Sequence, residues 1–280
     1  MNEDKEAMTD SDLPSRILIT GATGTLGQAL VPLLRDAGPQ LRLLSRSAQL
    51  TDGSVEWVRG DVSTGVGLEE AFRDVHTVVH CAGSQTDDGE KARNVVSAAT
   101  KSGVAHIVHV SVVGADTVPV VGAVDRAMFS YFASKREAEE AITNSPVDWT
   151  ILRPTQFHDF VIMVMQQLIK LPVLPLWRGV SFQPVDTADV ARRLAELALG
   201  EPGCIAPELG GPTIYPMSGL ARDYLRATGK RRLIMNVPMP GKAAAAFRAG
   251  ANLAAGHADG TGTWEAFLAK RFPHATSTTG

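Results

Sequence analysis

The chain has 280 residues and a formal net charge of −3, which gives no reason to expect nucleic acid or an anionic membrane as a partner. Its hydrophobic share of 44% and charged share of 20% are ordinary for a globular protein. No apolar run reaches the roughly 18 residues of a bilayer-spanning helix. The length suits one large α/β domain, or one domain with a smaller lobe.

Two cysteines, Cys81 and Cys204, lie far apart and form no C-x-x-C motif. With no signal peptide in the sequence, this predicts a reduced, cytoplasmic setting and no disulfide framework. The acidic and polar segment 1–14 is predicted to be a disordered lead-in.

Residues 16–38 are predicted to form a strand, a glycine-rich turn and a helix. The apolar run 17–19 suits a buried strand, and apolar residues at helical spacing follow Gly21, Gly24 and Gly27. We expect Gly21 to allow the tight turn, Gly24 to let a pyrophosphate approach and Gly27 to let the helix pack on the sheet. The chain has no Gly-Lys-Ser/Thr motif, so a nucleoside triphosphate is disfavoured.

The second predicted strand, 41–44, ends at Ser45-Arg46, about 20 residues past the glycine turn, where an acid binds the ribose of NAD and an arginine accepts the 2′-phosphate of NADP. No Asp or Glu occurs between Gly38 and Thr51, whereas Arg42 and Arg46 do. The sequence therefore favours NADP(H) over NAD(H). The alternative is that Arg46 is a solvated loop charge.

Strands alternate with helices through the first half of the chain, which predicts a doubly wound (Rossmann) parallel sheet. The predicted strands are 17–19, 41–44, 55–58, 77–81, 106–110 and 149–152, with helices over 26–34, 68–72, 90–102 and 127–142. We divide the chain into a dinucleotide-binding domain, 15–155, and a mostly helical substrate lobe, 156–280. The lobe is predicted to hold helices near 157–171, 218–228, 242–255 and 263–271. Segment 182–200, a strand at 182–185 and a capped helix to 198, is expected to return to the main sheet.

Three residues are candidates for catalysis. Tyr131 and Lys135 lie one turn apart on a predicted helix, and an ammonium beside a phenol favours the phenolate. The phenol could therefore donate or accept a proton near neutral pH. Ser111, at the carboxyl end of the fifth strand, could donate a hydrogen bond to a carbonyl oxygen. The alternative is that Tyr131 packs and Lys135 only holds the nicotinamide ribose.

The motif set resembles the atypical short-chain dehydrogenases/reductases, and within them the NmrA-like NAD(P)-binding branch that includes NADPH-dependent quinone and azo reductases. The similarity covers residues 16–271 and rests on T-G-A-T-G-T-L-G, V-V-H-C-A-G, H-I-V-H-V-S-V-V-G-A-D, Y-F-A-S-K-R-E-A-E-E and T-I-L-R-P-T-Q-F-H-D-F. The resemblance implies these cofactor contacts: Thr20, Gly21, Ala22, Thr23, Gly24, Thr25, Leu26 and Gly27 on the pyrophosphate; Ser45 and Arg46 at the 2′-phosphate; Asp61 and Val62 beside the adenine; Cys81, Ala82 and Gly83 on the ribose side; Lys135 on the nicotinamide ribose; and Pro154, Thr155 and Phe157 over the nicotinamide.

Three functions stay open at this point. The first is NAD(P)H-dependent reduction of a small quinone-like or carbonyl substrate, the second is NADP(H) sensing without turnover, and the third is sugar-nucleotide epimerisation or dehydration. No metal site is expected, because His106 and His109 lie three apart on a strand and face opposite ways. His158 is the histidine expected at the substrate mouth, the alternative being a helix-start residue bonded to Asp159. The sequence leaves the substrate and the oligomeric state open.

Overall fold

The computed structural model of this protein describes residues 15–47, 55–84 and 86–273, so the predicted disordered segment 1–14 lies outside the described residues. The strands within these ranges are β1 (Arg16–Thr20), β2 (Gln40–Ser45), β3 (Val55–Arg59), β4 (Thr77–His80), β5 (His106–Val110), β6 (Asp148–Leu152), β7 (Val173–Trp177), β8 (Ser181–Phe182), β9 (Cys204–Ile205), β10 (Tyr215–Pro216) and β11 (Leu233–Val237). The helices are α1 (Thr25–Asp36), α2 (Leu68–Phe72), α3 (Asp88–Ser102), α4 (Ala123–Thr143), α5 (His158–Leu168), α6 (Thr187–Leu199), α7 (Met217–Ala227), α8 (Lys242–Arg248) and α9 (Trp264–Arg271).

Seven strands form one sheet in the order β3-β2-β1-β4-β5-β6-β9, and every pairing in it is parallel. The predicted doubly wound parallel sheet is therefore confirmed. The strand order reverses between β1 and β4. Open α/β sheets bind ligands at the carboxyl ends of the strands beside such a reversal, so the turns after β1 and β4 border the crevice that matters for function.

The two faces of the sheet bury different helices because side chains alternate along each strand. Ile17 and Ile19 pack in one apolar cluster with α1 and α6, whereas Leu18 packs in another with α2, α3 and α4. The same alternation places the final polar side chains of three strands on the α3–α4 face. These side chains are Thr20, His80 and His109, and all three are buried.

A third apolar cluster forms the core of the C-terminal part of the described chain. It joins α5, α7, α8 and α9 to β7 and to the first half of α4, with Trp264, Phe129 and Leu220 among its fully buried members. No helix among the described residues is long and apolar enough to cross a bilayer.

Segment 182–200 differs from the prediction in its strand. The two-residue β8 pairs with β10 in a separate small sheet, whereas the main sheet gains β9, which pairs with β6. The helix α6 does return to the main domain, where it packs against α1. Its predicted cap is confirmed, because the Asp186 side chain accepts the Ala188 N–H at 2.8 Å.

Candidate active site

The glycine-rich turn after β1 is closely packed against its surroundings. Gly21 has a φ of +72°, and a Cβ added there would lie 2.7 Å from the backbone nitrogen of Ala82. Both the left-handed backbone and the neighbouring turn therefore require glycine. A Cβ on Gly27 would collide with the carbonyl oxygen of Gly21 and the backbone of Ala22, so Gly27 lets α1 start close against this turn.

Gly24 is different, because its extended backbone suits any residue. It is the N-cap of α1, with φ −78° and ψ 168°, and the Gly21 carbonyl oxygen, at 3.3 Å, is the described neighbour that an added Cβ would approach. The space in front of it faces the start of α1, where backbone N–H groups and the helix dipole favour an anion. The turn Thr20–Gly27 therefore fits a pyrophosphate.

The two arginines near the end of β2 have separate positions. Arg42 is buried and donates to Glu56 at 2.9 Å and to carbonyl oxygens at the end of α2, so it holds α2 on the sheet and is not available to a ligand. Arg46 is exposed at the carboxyl end of β2 and makes no ion pair with any described residue. Arg46 is thus the arginine that could meet a 2′-phosphate.

The loop after β3 carries the residues expected beside an adenine. The Asp61 carboxylate accepts the Ser63 N–H at 2.9 Å, and Val62 is buried. From α3, the Asn94 side-chain amide donates to the Val62 carbonyl oxygen at 2.8 Å. These bonds fix the shape of the loop at the edge of the crevice.

Lys135 brings α4 to the carboxyl ends of the central strands. It is 4% exposed; its Nζ donates to the Val110 carbonyl oxygen at 3.2 Å and lies 2.9 Å from Asp88 Oδ2. The same Nζ is 5.7 Å from the centroid of the Tyr131 ring. A Cβ on Gly83 would lie 3.3 Å from Nζ, so the turn after β4 passes beside this ammonium.

Tyr131 and Ser111 complete the predicted catalytic set. The Tyr131 ring is half-buried and meets Phe132 edge-on at 5.7 Å. Ser111 directly follows Val110, and its buried Oγ has no hydrogen-bond partner among the described residues. A buried hydroxyl without a partner is uncommon, so Oγ is available to a ligand oxygen. The ammonium lies within cation–π distance of the Tyr131 ring, and Ser111 follows the residue whose carbonyl oxygen binds the ammonium.

Two buried imidazoles lie near the carboxyl ends of β4 and β5. His80 and His109 stack at 5.1 Å, and His80 Nδ1 lies 2.7 Å from Thr20 Oγ1. Burial, reinforced by the Lys135 charge, lowers the pKa of His80 to about 4, and burial holds the pKa of His109 well below its usual value. Both rings are therefore neutral at pH 7. Burial also raises the pKa of the Cys81 thiol to about 12, which argues against a thiolate nucleophile.

Acid is expected to destabilise the protein through His80. The unfolded chain protonates this residue near pH 6.5, but the folded chain does so only near pH 4, so stability falls as pH falls through that interval. At about 1.4 kcal/mol per pKa unit, the loss by pH 4 is about 3 kcal/mol. Urea denaturation at both pH values measures it. His80→Asn should reduce the loss, whereas the exposed-residue control His76→Asn should keep it. An unchanged loss in His80→Asn would contradict this origin.

The segment after β6 is tied to the C-terminal part of the chain. Thr155 N–H donates to the Leu209 carbonyl oxygen at 2.9 Å, and the buried Thr155 hydroxyl donates to the Gln183 carbonyl oxygen. Pro154 and Phe157 form single β-bridges with Leu209 and Val185. The segment predicted to close over a nicotinamide is thus fixed by bonds to Leu209 and to residues 183–185.

His158 starts α5 and is 1% exposed. Its ring packs against Phe267 at 4.8 Å and Trp264 at 5.8 Å. Its nearest carboxylate is Asp186, with Oδ2 4.0 Å from Nδ1, and not Asp159 as in the alternative reading. The structure thus places the ring within the aromatic packing of α5 and α9.

Two ion-pair arrangements at the site escaped the sequence analysis. Asp88, the first residue of α3, is the buried carboxylate that pairs with Lys135, and the acidic pair at that helix start is the signal that could have indicated it. Arg153 makes a two-bond contact with Glu139 at 2.9 and 2.7 Å and a third bond to Asp116. It thereby fixes α4 against the end of β6.

The fold and the crevice define a dinucleotide-binding α/β protein. A family profile described as NAD(P)H-binding matches residues 21–198. The chain belongs to this NAD(P)H-binding family, and the resemblance to the atypical short-chain dehydrogenases/reductases is confirmed.

Known relatives are moderately similar. The chain is 33% identical over 143 residues to the (4-alkanoyl-5-oxo-2,5-dihydrofuran-3-yl)methyl phosphate reductase of Streptomyces griseus, covering 50% of this chain and 48% of that relative, so it matches about half of that relative's length. It is 26% identical over 256 residues to the ceramide reductase of Caulobacter vibrioides, covering 82% and 76%. The NADPH complex of the NADPH-dependent quinone oxidoreductase of Escherichia coli superposes with a TM-score of 0.73 at 21% identity, covering 91% and 99%. That similarity shows the shared fold.

Proposed function

We propose that this protein is an NADPH-dependent reductase of a quinone-like or carbonyl compound. The observation that carries the proposal is the buried Lys135 ammonium at the carboxyl edge of the sheet. It lies 5.7 Å from the centroid of the Tyr131 ring and donates to the carbonyl oxygen of Val110, the residue before Ser111. The glycine-rich turn borders the same crevice. The names of the three relatives described above, two reductases and a quinone oxidoreductase, support reduction as the reaction class.

The residues of the crevice divide into binding and chemistry. Residues 20–27 would hold the pyrophosphate, Arg46 the 2′-phosphate and Lys135 the nicotinamide ribose. Residues 61–62 would flank the adenine, residues 81–83 would line the ribose side and the segment 154–157 would cover the nicotinamide. A bound NADPH would supply a hydride. The chain's own task is then to place the acceptor oxygen near Ser111 Oγ and the Tyr131 hydroxyl, which can stabilise charge and donate a proton.

A two-stage assay tests this function. NADPH is first titrated against the protein by its fluorescence, and its absorbance is then followed with quinones, azo dyes and aldehydes as acceptors. We expect binding followed by acceptor-dependent oxidation above the blank. Tight binding with no oxidation in the whole panel would overturn the reductase and favour the NADP(H)-sensing function.

Substitution of Arg46 tests the preference for NADPH over NADH. Replacing Arg46 with alanine removes the exposed guanidinium at the end of β2, and a charge-assisted hydrogen bond is worth about 1.5–3 kcal/mol. We therefore expect NADPH to bind about tenfold or more weakly and NADH to be nearly unaffected. The control is Arg35→Ala, which removes an exposed charge near the far end of α1. Equal losses for NADPH and NADH would remove Arg46 from the 2′-phosphate site.

A further inference from the structure

The first residue of α3 is an acid that is tied into the crevice by several bonds. Asp88 is 1% exposed. Its Oδ1 accepts the Ser84 N–H at 2.6 Å, and its own N–H donates to Ser134 Oγ at 2.9 Å. Its other oxygen, Oδ2, lies 2.9 Å from Lys135 Nζ. Asp88 therefore joins the turn after β4, the start of α3 and the middle of α4.

The ion pair with Asp88 compensates the buried charge of Lys135, which would otherwise destabilise the folded protein. An ammonium removed from water is strongly destabilised unless it is paired. Burial alone would lower the pKa of Lys135, but the nearby Tyr131 and Asp88 outweigh it and raise that pKa. Burial likewise opposes the charge on Asp88, and Lys135 holds the pKa of that carboxyl below its usual value.

The pair also leaves part of the lysine for a ligand. An ammonium has three N–H groups. Among the described residues, one of them donates to the Val110 carbonyl oxygen, and Asp88 Oδ2 lies 2.9 Å from Nζ as its ion-pair partner. The backbone of Gly83 runs beside both charges, since a Cβ there would lie 3.3 Å from Nζ and 3.4 Å from Asp88 Oδ2.

We propose that Asp88 is a positioning residue, which fixes the Lys135 ammonium at the end of β5 so that a remaining N–H of the ammonium faces the nicotinamide ribose. This inference rests on the proposed function, in which Lys135 holds the cofactor. The aspartate itself touches neither cofactor nor substrate; it acts through the lysine.

Removing the carboxylate should change how Lys135 titrates. Six titratable groups surround this lysine. Asp88 and Lys91 come from α3, and Tyr131 comes from the lysine's own helix. His80 comes from β4, His109 from β5 and Cys81 from the turn after β4. Of these, Asp88 is the carboxylate. Without it the buried ammonium loses its proton at lower pH, and its attraction for the cofactor weakens as pH rises.

The test is NADPH affinity as a function of pH. In the parent we expect an affinity that is flat between pH 7 and 9. Asp88→Asn should weaken binding about tenfold at pH 7, the scale of one charge-assisted hydrogen bond, and further toward pH 9. Adding Lys135→Met to Asp88→Asn should abolish the pH dependence. Asp87→Asn is the matched control, because the adjacent acid pairs with Lys91 at 2.9 Å and should leave the profile of the parent unchanged.

The outcomes distinguish a failure of the proposed function from a failure of the role proposed for Asp88. A parent that binds no NADPH would overturn the proposed function and this inference with it. A parent that binds NADPH while Asp88→Asn keeps the flat profile of Asp87→Asn would overturn the role of Asp88 alone. If Asp88→Asn does not fold, Asp88→Glu replaces it. It keeps the charge but moves the carboxylate by one methylene, so we expect weaker binding with a flat profile, and unchanged affinity would contradict the positioning role.

Discussion

Replacing Tyr131 with phenylalanine is expected to lower kcat for a simple carbonyl substrate by about 10²–10⁴, the range for loss of a general acid. Reduction of a carbonyl leaves negative charge on its oxygen, and in the proposed function the Tyr131 hydroxyl donates the proton. The ring packs against Phe132 and under the charge of Lys135, and both contacts survive the substitution. NADPH affinity should therefore stay the same.

The same substitution should cost little with a quinone. The charge on a reduced quinone is delocalised and water can protonate it afterwards, so positioning carries most of the rate. Steady-state rates of Tyr131→Phe with an aldehyde and with a quinone measure the difference. Tyr215→Phe is the control, because its hydroxyl donates to Glu265 in the C-terminal part of the chain. A Tyr131→Phe enzyme with parental rates on every substrate would make Tyr131 a packing residue.

A second large effect is expected when Gly24 is replaced with valine. The backbone there is extended, so the fold tolerates a side chain apart from a 3.3 Å approach to the Gly21 carbonyl oxygen. The side chain would occupy the space in front of α1 and separate the pyrophosphate from the backbone N–H groups. Losing two hydrogen bonds to a charged group, at about 1.5–3 kcal/mol each, weakens NADPH binding about 100-fold or more.

The matched control for this glycine is Gly122. It is also a helix N-cap with extended backbone, at φ −90° and ψ 169°, and a Cβ there meets Asp125 Oδ2 at an ordinary 3.5 Å. Gly122→Val should leave NADPH affinity within a few-fold of the parent. Titration of both variants, with circular dichroism to verify folding, makes the comparison. Parental affinity in Gly24→Val would place the pyrophosphate elsewhere.

The main domain could be predicted from the sequence because its signals are local. Buried parallel strands appear as short apolar runs, and helices between them show 3.6-residue spacing. The predicted fifth strand, 106–110, agrees in both bounds with β5. In the C-terminal part these signals weaken. The two-residue β9 is exposed, and β7 contains Pro175, which argues against a strand in a sequence reading.

In the candidate site, the sequence predicts which residues lie together only where they are neighbours along one helix or turn. Tyr131 and Lys135 could be placed together because a helix sets their spacing, and the structure has Lys135 Nζ 5.7 Å from the centroid of the Tyr131 ring. The position of Asp88 beside Lys135 could not be predicted. The two residues are 47 positions apart in sequence, on different helices, and their pairing depends on how both helices pack on the sheet. The same holds for the aromatic packing around His158, which α9 provides.

The most direct test of the reductase is the isotope effect of NADPH labelled with deuterium at one of its two C4 positions. An enzyme that holds the nicotinamide in a single orientation transfers hydrogen from one face. We predict that acceptor-dependent NADPH oxidation slows with one labelled stereoisomer and proceeds at nearly the unlabelled rate with the other. Oxidation that is equally sensitive to both labels, or no oxidation despite bound NADPH, would contradict the account.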